Sequence, residues 1–273
     1  MNEHKKKSIN FWLLAFFFGL LLGSLSFGSI FTWRTNGLVE IKNKEARETK
    51  RPAKIEAIVL NDKNCADCFD ISPLFGALEK ENVKIESKRD VERTSDEGKN
   101  LIEKYAIIKL PTVILRGELE KEKKVKDFLA TLGEIKDGVF ILRRVGGPYV
   151  VPSSGEIKGR TELILIADKT CEKCYDVLQH KLILNRFGVY PKITAVDVGA
   201  EEGKKYIKQF GITLVPTFVL MGDVKEFPDL IGIWPQVGIE KNKAYVFTKG
   251  VAEMGIFKDL KSNKIIEPNA VKK

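Results

Sequence analysis

The chain repeats itself at long range, and this limits its possible folds more than any other feature. IVLNDKNCADCFD at 58–70 aligns with ILIADKTCEKCYD at 164–176, an offset of 106. Further on, EGKNLIEKYAIIKLPTVILRGE (97–118) aligns with EGKKYIKQFGITLVPTFVLMGD (202–223) at an offset of 105, so one residue is gained or lost between the blocks. A weaker match joins LGEIKDGVFIL (132–142) to VGIEKNKAYVF (237–247). One unit is used twice. The sequence predicts a first domain over 53–158, a second over 159–265 and a short tail at 266–273. A length of 273 residues suits two domains, and 44% hydrophobic with 30% charged residues is the balance of ordered globular proteins.

Within each unit the local pattern is regular. The apolar runs Ile55–Leu60 and Leu163–Ala167 predict buried strands, each followed by a loop and a Cys-x-x-Cys at the start of a helical stretch. A second strand (83–86; 192–198) and a charged helix (96–105; 201–210) come next. A strand after a Pro-Thr (112–115; 217–220), a Gly turn and a last strand (139–142; 244–247) close the unit. That outline is an α/β domain with a central mixed sheet flanked by helices.

Ahead of the repeat, Ile9 to Ile30 is 22 residues without a charge, enough for one transmembrane helix. Lys5, Lys6 and Lys7 precede it and favour a cytoplasmic basic tail at 1–8, with everything after the span on the extracytoplasmic side. A cleaved signal segment is the alternative, since Ser24-Leu25-Ser26 and Ser26-Phe27-Gly28 offer small residues around a cut. Residues 31–52, mixed in charge and lacking an apolar face, are expected to form a stalk. The net charge of +9 is read as solvation plus attraction to a membrane surface. No nucleic-acid-binding motif accompanies it, and no nucleic-acid partner is expected.

From the repeat onward the sequence resembles the thioredoxin superfamily over both units. The resemblance rests on Cys65-Ala66-Asp67-Cys68 and Cys171-Glu172-Lys173-Cys174 after the first core strand, and on a Pro-Thr at Pro111 and Pro216 about 45 residues later. The lead-ins YAIIKLPTVIL and FGITLVPTFVL, the glycines Gly117 and Gly222, and Pro73 also carry it; Gln179 stands at the place of Pro73 in the second unit. It implies tandem thioredoxin-like domains with cis-prolines at Pro111 and Pro216 beside the Cys pairs. It further implies that Leu110 and Val215 keep their backbone free to bind an extended substrate strand, while each proline withholds an N–H near the sulfurs. The departures are Asn64 and Thr170 where a Trp is usual, the dipeptides inside the Cys motifs, and Val59 and Leu165 where thioredoxins bury an acid. They leave the direction of exchange open.

A dithiol at a helix start suits thiol–disulfide exchange, because the orphan N–H groups there favour the thiolate. Cys65 and Cys171 are expected to attack, and Cys68 and Cys174 to resolve the mixed disulfide. An acid beside a thiolate raises its pKa, and Lys173 opposes this in the second unit, which leaves room for the two sites to differ in potential. Asp62-Lys63 and Asp168-Lys169 recur three residues before each pair and are expected to serve the loop, or more sharply to tune the thiols. Asp70, Asp176 and His180 are expected to face solvent. The expected function is extracytoplasmic thiol–disulfide exchange, as oxidoreductase or isomerase, on exported proteins, with a redox partner that the sequence does not name. No cofactor and no metal are expected. The alternatives left open are a non-catalytic protein-binding module with static disulfides and a metal-binding thiol protein.

Overall fold

A computed structural model describes residues 40 and 42–268. The predicted span at 9–30 and the end of the tail lie outside the described residues. Among the described residues, no helix is long and apolar enough to cross a membrane. The chain divides into two compact units, Met1–Pro52 and Ala53–Lys273. In the first, residues 42–50 form an exposed helix, α1.

The second unit holds both repeats. The first contains β1 (Ala53–Asn61), α2 (Ser72–Leu78), β2 (Val83–Glu92), α3 (Asp96–Lys104), β3 (Thr112–Gly117), α4 (Lys123–Leu132), β4 (Gly133–Lys136) and β5 (Val139–Leu142). A short ladder of β6 (Tyr149–Val150) and β7 (Ile157–Lys158) leads to the second repeat. That repeat runs β8 (Thr161–Ala167), α5 (Gln179–Arg186), β9 (Lys192–Asp197), α6 (Glu201–Phe210), β10 (Leu214–Val215), β11 (Thr217–Gly222), α7 (Pro228–Val237), β12 (Gly238–Lys241) and β13 (Ala244–Phe247). It closes with α8 (Val251–Met254), β14 (Phe257–Asp259) and β15 (Lys264–Ile266).

Each repeat builds a five-stranded sheet in the same order, β2-β1-β3-β5-β4 and β9-β8-β11-β13-β12. The first pair in each is parallel and the rest antiparallel, so the sheet is mixed. The central strands are continuously apolar because both their faces are covered. Along β1, Ile55, Ala57 and Val59 face Leu74 and Phe75 of α2 and Val125 and Leu129 of α4. Ile58 and Leu60 face the opposite way, toward Leu101 of α3. β8 divides alike: Leu163 and Leu165 join Leu184, Leu230 and Trp234, while Ile164 and Ile166 join Phe210. The repeated Glu-Gly at the third element has a steric cause. A Cβ on Gly98 would lie 2.1 Å from the Glu92 carbonyl oxygen, and one on Gly203 would lie 2.0 Å from that of Asp197.

Candidate functional site

Each sheet ends at a Cys pair, and each pair is closed as a disulfide, Cys65–Cys68 and Cys171–Cys174, with Cα atoms 5.4 Å apart. Neither pair starts a helix, contrary to expectation. Cys65 and Cys171 lie in turns, donating their N–H groups to the carbonyls of Asp62 and Asp168 at 3.1 and 3.0 Å. The helices begin later, at Ser72 and Gln179. The cause is a repeated carboxylate: Asp70 Oδ1 accepts from the Ser72 N–H at 2.8 Å and Asp176 Oδ1 from that of Leu178 at 2.9 Å. Such local bonds hold the preceding residues in a turn. Pro73 accordingly lies in the first turn of α2, where its missing N–H costs no helical hydrogen bond. Neither cysteine of either pair lies within a helix.

The Leu110–Pro111 and Val215–Pro216 peptide bonds are cis. Pro111 lines one cavity of about 440 Å³ together with Cys65, Cys68, Asp62, Phe69 and Val150. In the second repeat the phenol of Tyr175, next to Cys174, donates to the Pro216 carbonyl at 2.5 Å, tying Cys loop to proline loop. The backbones of Leu110 and Val215, expected to be open, are engaged by the chain itself. Leu110 and Val150 exchange hydrogen bonds in both directions at 3.0 and 2.8 Å. Val215 pairs with Lys258 in the β10–β14 ladder. Both residues are 0% exposed, so each edge carries a strap of its own chain. Cys65 and Cys171 are also buried, at 9% and 8% exposure, whereas Cys68 and Cys174 are partly exposed.

The sequence matches no family model, and no curated protein matches it. Among solved structures it is similar to the NTD_N/C domain of alkylhydroperoxide reductase AhpF from Enterococcus faecalis, at 12% identity over 66% of this chain and 89% of that one, TM-score 0.18. It is similar also to a protein disulfide oxidoreductase from Aeropyrum pernix, at 17% identity over 66% and 83%, TM-score 0.17. TM-scores this low carry no argument. The strand order, repeated twice with a Cys-x-x-Cys after β1 and β8 and a cis-proline before β3 and β11, decides the fold. Each repeat is a thioredoxin-like domain.

In both thioredoxin-like domains the strap is latched to the acid three residues before the first cysteine. Asp62 accepts from the Asn64 N–H and from Arg93 Nε at 2.9 and 2.6 Å, and Arg93 Nη1 reaches on to the Pro152 carbonyl beyond the strap at 3.0 Å. Asp168 accepts from the N–H and hydroxyl of Thr170 and, at 2.6 Å, from Lys258 Nζ on the strap itself. Burial pushes both carboxyls up, and these hydrogen bonds and cations outweigh it, holding both below the ordinary carboxylate range. The ion-pair partners are thus distant residues, not the adjacent Lys63 and Lys169.

His180, expected to face solvent, is buried instead. It is 2% exposed, packed 4.6 Å from the rings of both Phe218 and Phe247, with Nε2 at 3.1 Å from the Tyr175 hydroxyl. The helix begins at Gln179, so a phase counted from Cys174 points the imidazole the wrong way. Since the Tyr175 proton goes to Pro216, His180 Nε2 must carry the other proton. Burial pushes the His180 pKa down to about 4. In the first domain Phe69 and Leu74 stand at these places, and Phe69 instead meets Tyr190 of the second domain edge-on at 4.9 Å. Arg93, Lys258, the straps and the His180 network all went unread in the sequence. The one local signal was the short β-prone run Tyr149–Val151 after Gly146-Gly147-Pro148. Among the described residues, no group of three or more His, Cys, Asp or Glu side chains is placed to hold a metal ion.

Proposed function

We propose that this chain is an extracytoplasmic thiol–disulfide oxidoreductase or isomerase, tethered through residues 9–30, acting on exported proteins at two Cys-x-x-Cys sites. The observation that carries the reading is a Cys-x-x-Cys disulfide and a cis-proline in each thioredoxin-like domain; in the first, both border one cavity of about 440 Å³. In the reducing direction a thiolate of the pair attacks a substrate disulfide, the S–S bond breaks and one substrate sulfur leaves as thiolate. The second cysteine, once deprotonated, attacks the mixed disulfide and releases the other substrate thiolate. Two electrons pass from the pair to the substrate, and the pair becomes the disulfide seen here. The oxidising direction is the same sequence reversed.

Cys65 and Cys171 are assigned the attack, and Leu110 and Val215 the docking of the substrate strand once the straps move aside. Trapping variants test this. Cys68→Ser and Cys174→Ser should accumulate mixed disulfides with unfolded exported proteins, while Cys65→Ser and Cys171→Ser should not. The reverse pattern would hand the attack to the more exposed cysteines. No trapped client from any of the four, with no turnover of insulin disulfides by the wild type, overturns the exchange reading in favour of static disulfides.

A further inference from the structure

The two Cys pairs carry opposite charges at the same place. The residue before the second cysteine is Asp67 in the first domain and Lys173 in the second. Asp67 Oδ1 lies 3.7 Å from Cys65 Sγ, a contact and not a hydrogen bond, since the disulfide sulfur carries no proton. A carboxylate there opposes a thiolate. The second domain supplies what the first lacks. Arg160, immediately before β8, donates Nε to Asp67 Oδ2 at 2.9 Å and Nη2 to Asp67 Oδ1 at 2.8 Å. This planar fork is matched to a carboxylate. The Arg160 backbone is itself fixed, with its carbonyl accepting from the Asp223 N–H at 2.8 Å and its N–H donating to the Asp223 carboxylate at 3.3 Å.

We propose that Arg160 is a positioning residue of the first redox pair, contributed by the second domain. It clamps Asp67 and neutralises it, so that a thiolate at the first pair is not opposed by an uncompensated carboxylate. The other charged groups around this pair do not supply the same compensation. Asp62 is already committed to Arg93, Asp70 adds a negative charge, and Lys63, which lines the same cavity as the pair, makes no ion pair with Asp67. Glu162, Tyr190 and Lys192 of the second domain line the cleft that Asp67 and Arg160 share, and no bond to Asp67 comes from any of them. The clamp is exposed, which predicts a modest, salt-sensitive effect.

This inference rests on the exchange reading only for its importance; its test does not need turnover. The reduced full-length protein is alkylated with iodoacetamide across pH, and the two Cys peptides are followed separately by mass spectrometry. Arg160→Gln should raise the apparent thiol pKa of the first pair and slow its alkylation at pH 7 by about three- to tenfold, the equivalent of half to one pKa unit. The Cys171 peptide should not change, Arg160→Lys should recover part of the rate, and Asp67→Asn/Arg160→Gln should return it to wild type. Molar salt should move the wild type toward Arg160→Gln. An unchanged first pair in Arg160→Gln, an equal shift of both pairs, or failure of Asp67→Asn to rescue would overturn the proposal. A shifted titration with no client exchange would leave the clamp standing and sink only the exchange reading.

Discussion

At the scale of single residues, the two domains solve the same joint differently. Tyr175 and His180 make a buried polar bridge to the Pro216 carbonyl, where the first domain has Phe69 and Leu74. Tyr175→Phe leaves the Pro216 carbonyl and the His180 N–H buried without partners, at an expected cost of about 1–3 kcal/mol. Adding His180→Leu removes one of the two orphans and copies the first domain, so the double variant should be more stable than Tyr175→Phe alone, as read by urea unfolding. The histidine also makes a pH prediction. It titrates at about 4 when folded against an ordinary 6.5, so between those values the unfolded chain binds a proton that the folded one does not. Its contribution is therefore complete above pH 6.5 and falls as pH drops toward 4, by roughly 3 kcal/mol in all. His180→Leu should lose this part of the slope; an identical slope in variant and wild type would mean that the imidazole is not buried neutral.

At the scale of elements, the straps decide access to the prolines. Val150→Pro deletes the N–H that Val150 donates to Leu110, loosening the first strap while sparing β10 and β14. The expected result is amide exchange at Leu110 faster by about tenfold or more, unchanged exchange at Val215, and a higher kcat/KM for an extended peptide disulfide at the first site. Faster amide exchange without a gain in kcat/KM would show that substrates do not use this edge. The straps also mark where sequence ran out. The sheet strands were legible because burial on both faces writes unbroken apolar runs, and β5 and β13 fall on their predicted residues. The α4 and α7 helices were not read, although each fills the core beneath its sheet. The straps are two or three residues long and owe their state to partners far along the chain: Lys258 meets Asp168 across 90 residues. The expected helix at the Cys pairs failed for a local reason, the Asp70 and Asp176 turns, whose signal was present and read only as exposed acid.

At the scale of the whole two-domain unit, the first Cys pair lies against the second domain, and close backbone packing keeps it there. Gly147 donates its N–H to the Gly188 carbonyl at 2.9 Å, and a Cβ on Gly147 would lie 2.5 Å from the Gly159 carbonyl oxygen and 2.7 Å from the Phe227 ring. Beside it, Tyr149 donates its hydroxyl to Glu226 at 2.6 Å, and Lys109 Nζ lies 4.1 Å above the Tyr149 ring. Two hydrogen bonds thus bind the segment after β5 to the second domain, within a few residues of the Pro148 carbonyl that accepts from Phe69 at 2.7 Å. If Arg160 governs Asp67 only while the domains are docked, a change that parts them should act on the first pair without touching its charges. Gly147→Ala provides that change, since backbone and ring atoms stand where the methyl must go. Its expected signature is faster proteolysis between residues 143 and 160, together with slower iodoacetamide alkylation of the first Cys pair, by about threefold at pH 7, in the direction of Arg160→Gln. The Cys171 peptide should be unaffected, and combining Gly147→Ala with Arg160→Gln should add little, because one substitution already removes what the other would. Full additivity of the two effects would mean that docking reaches the first pair by some route other than the arginine.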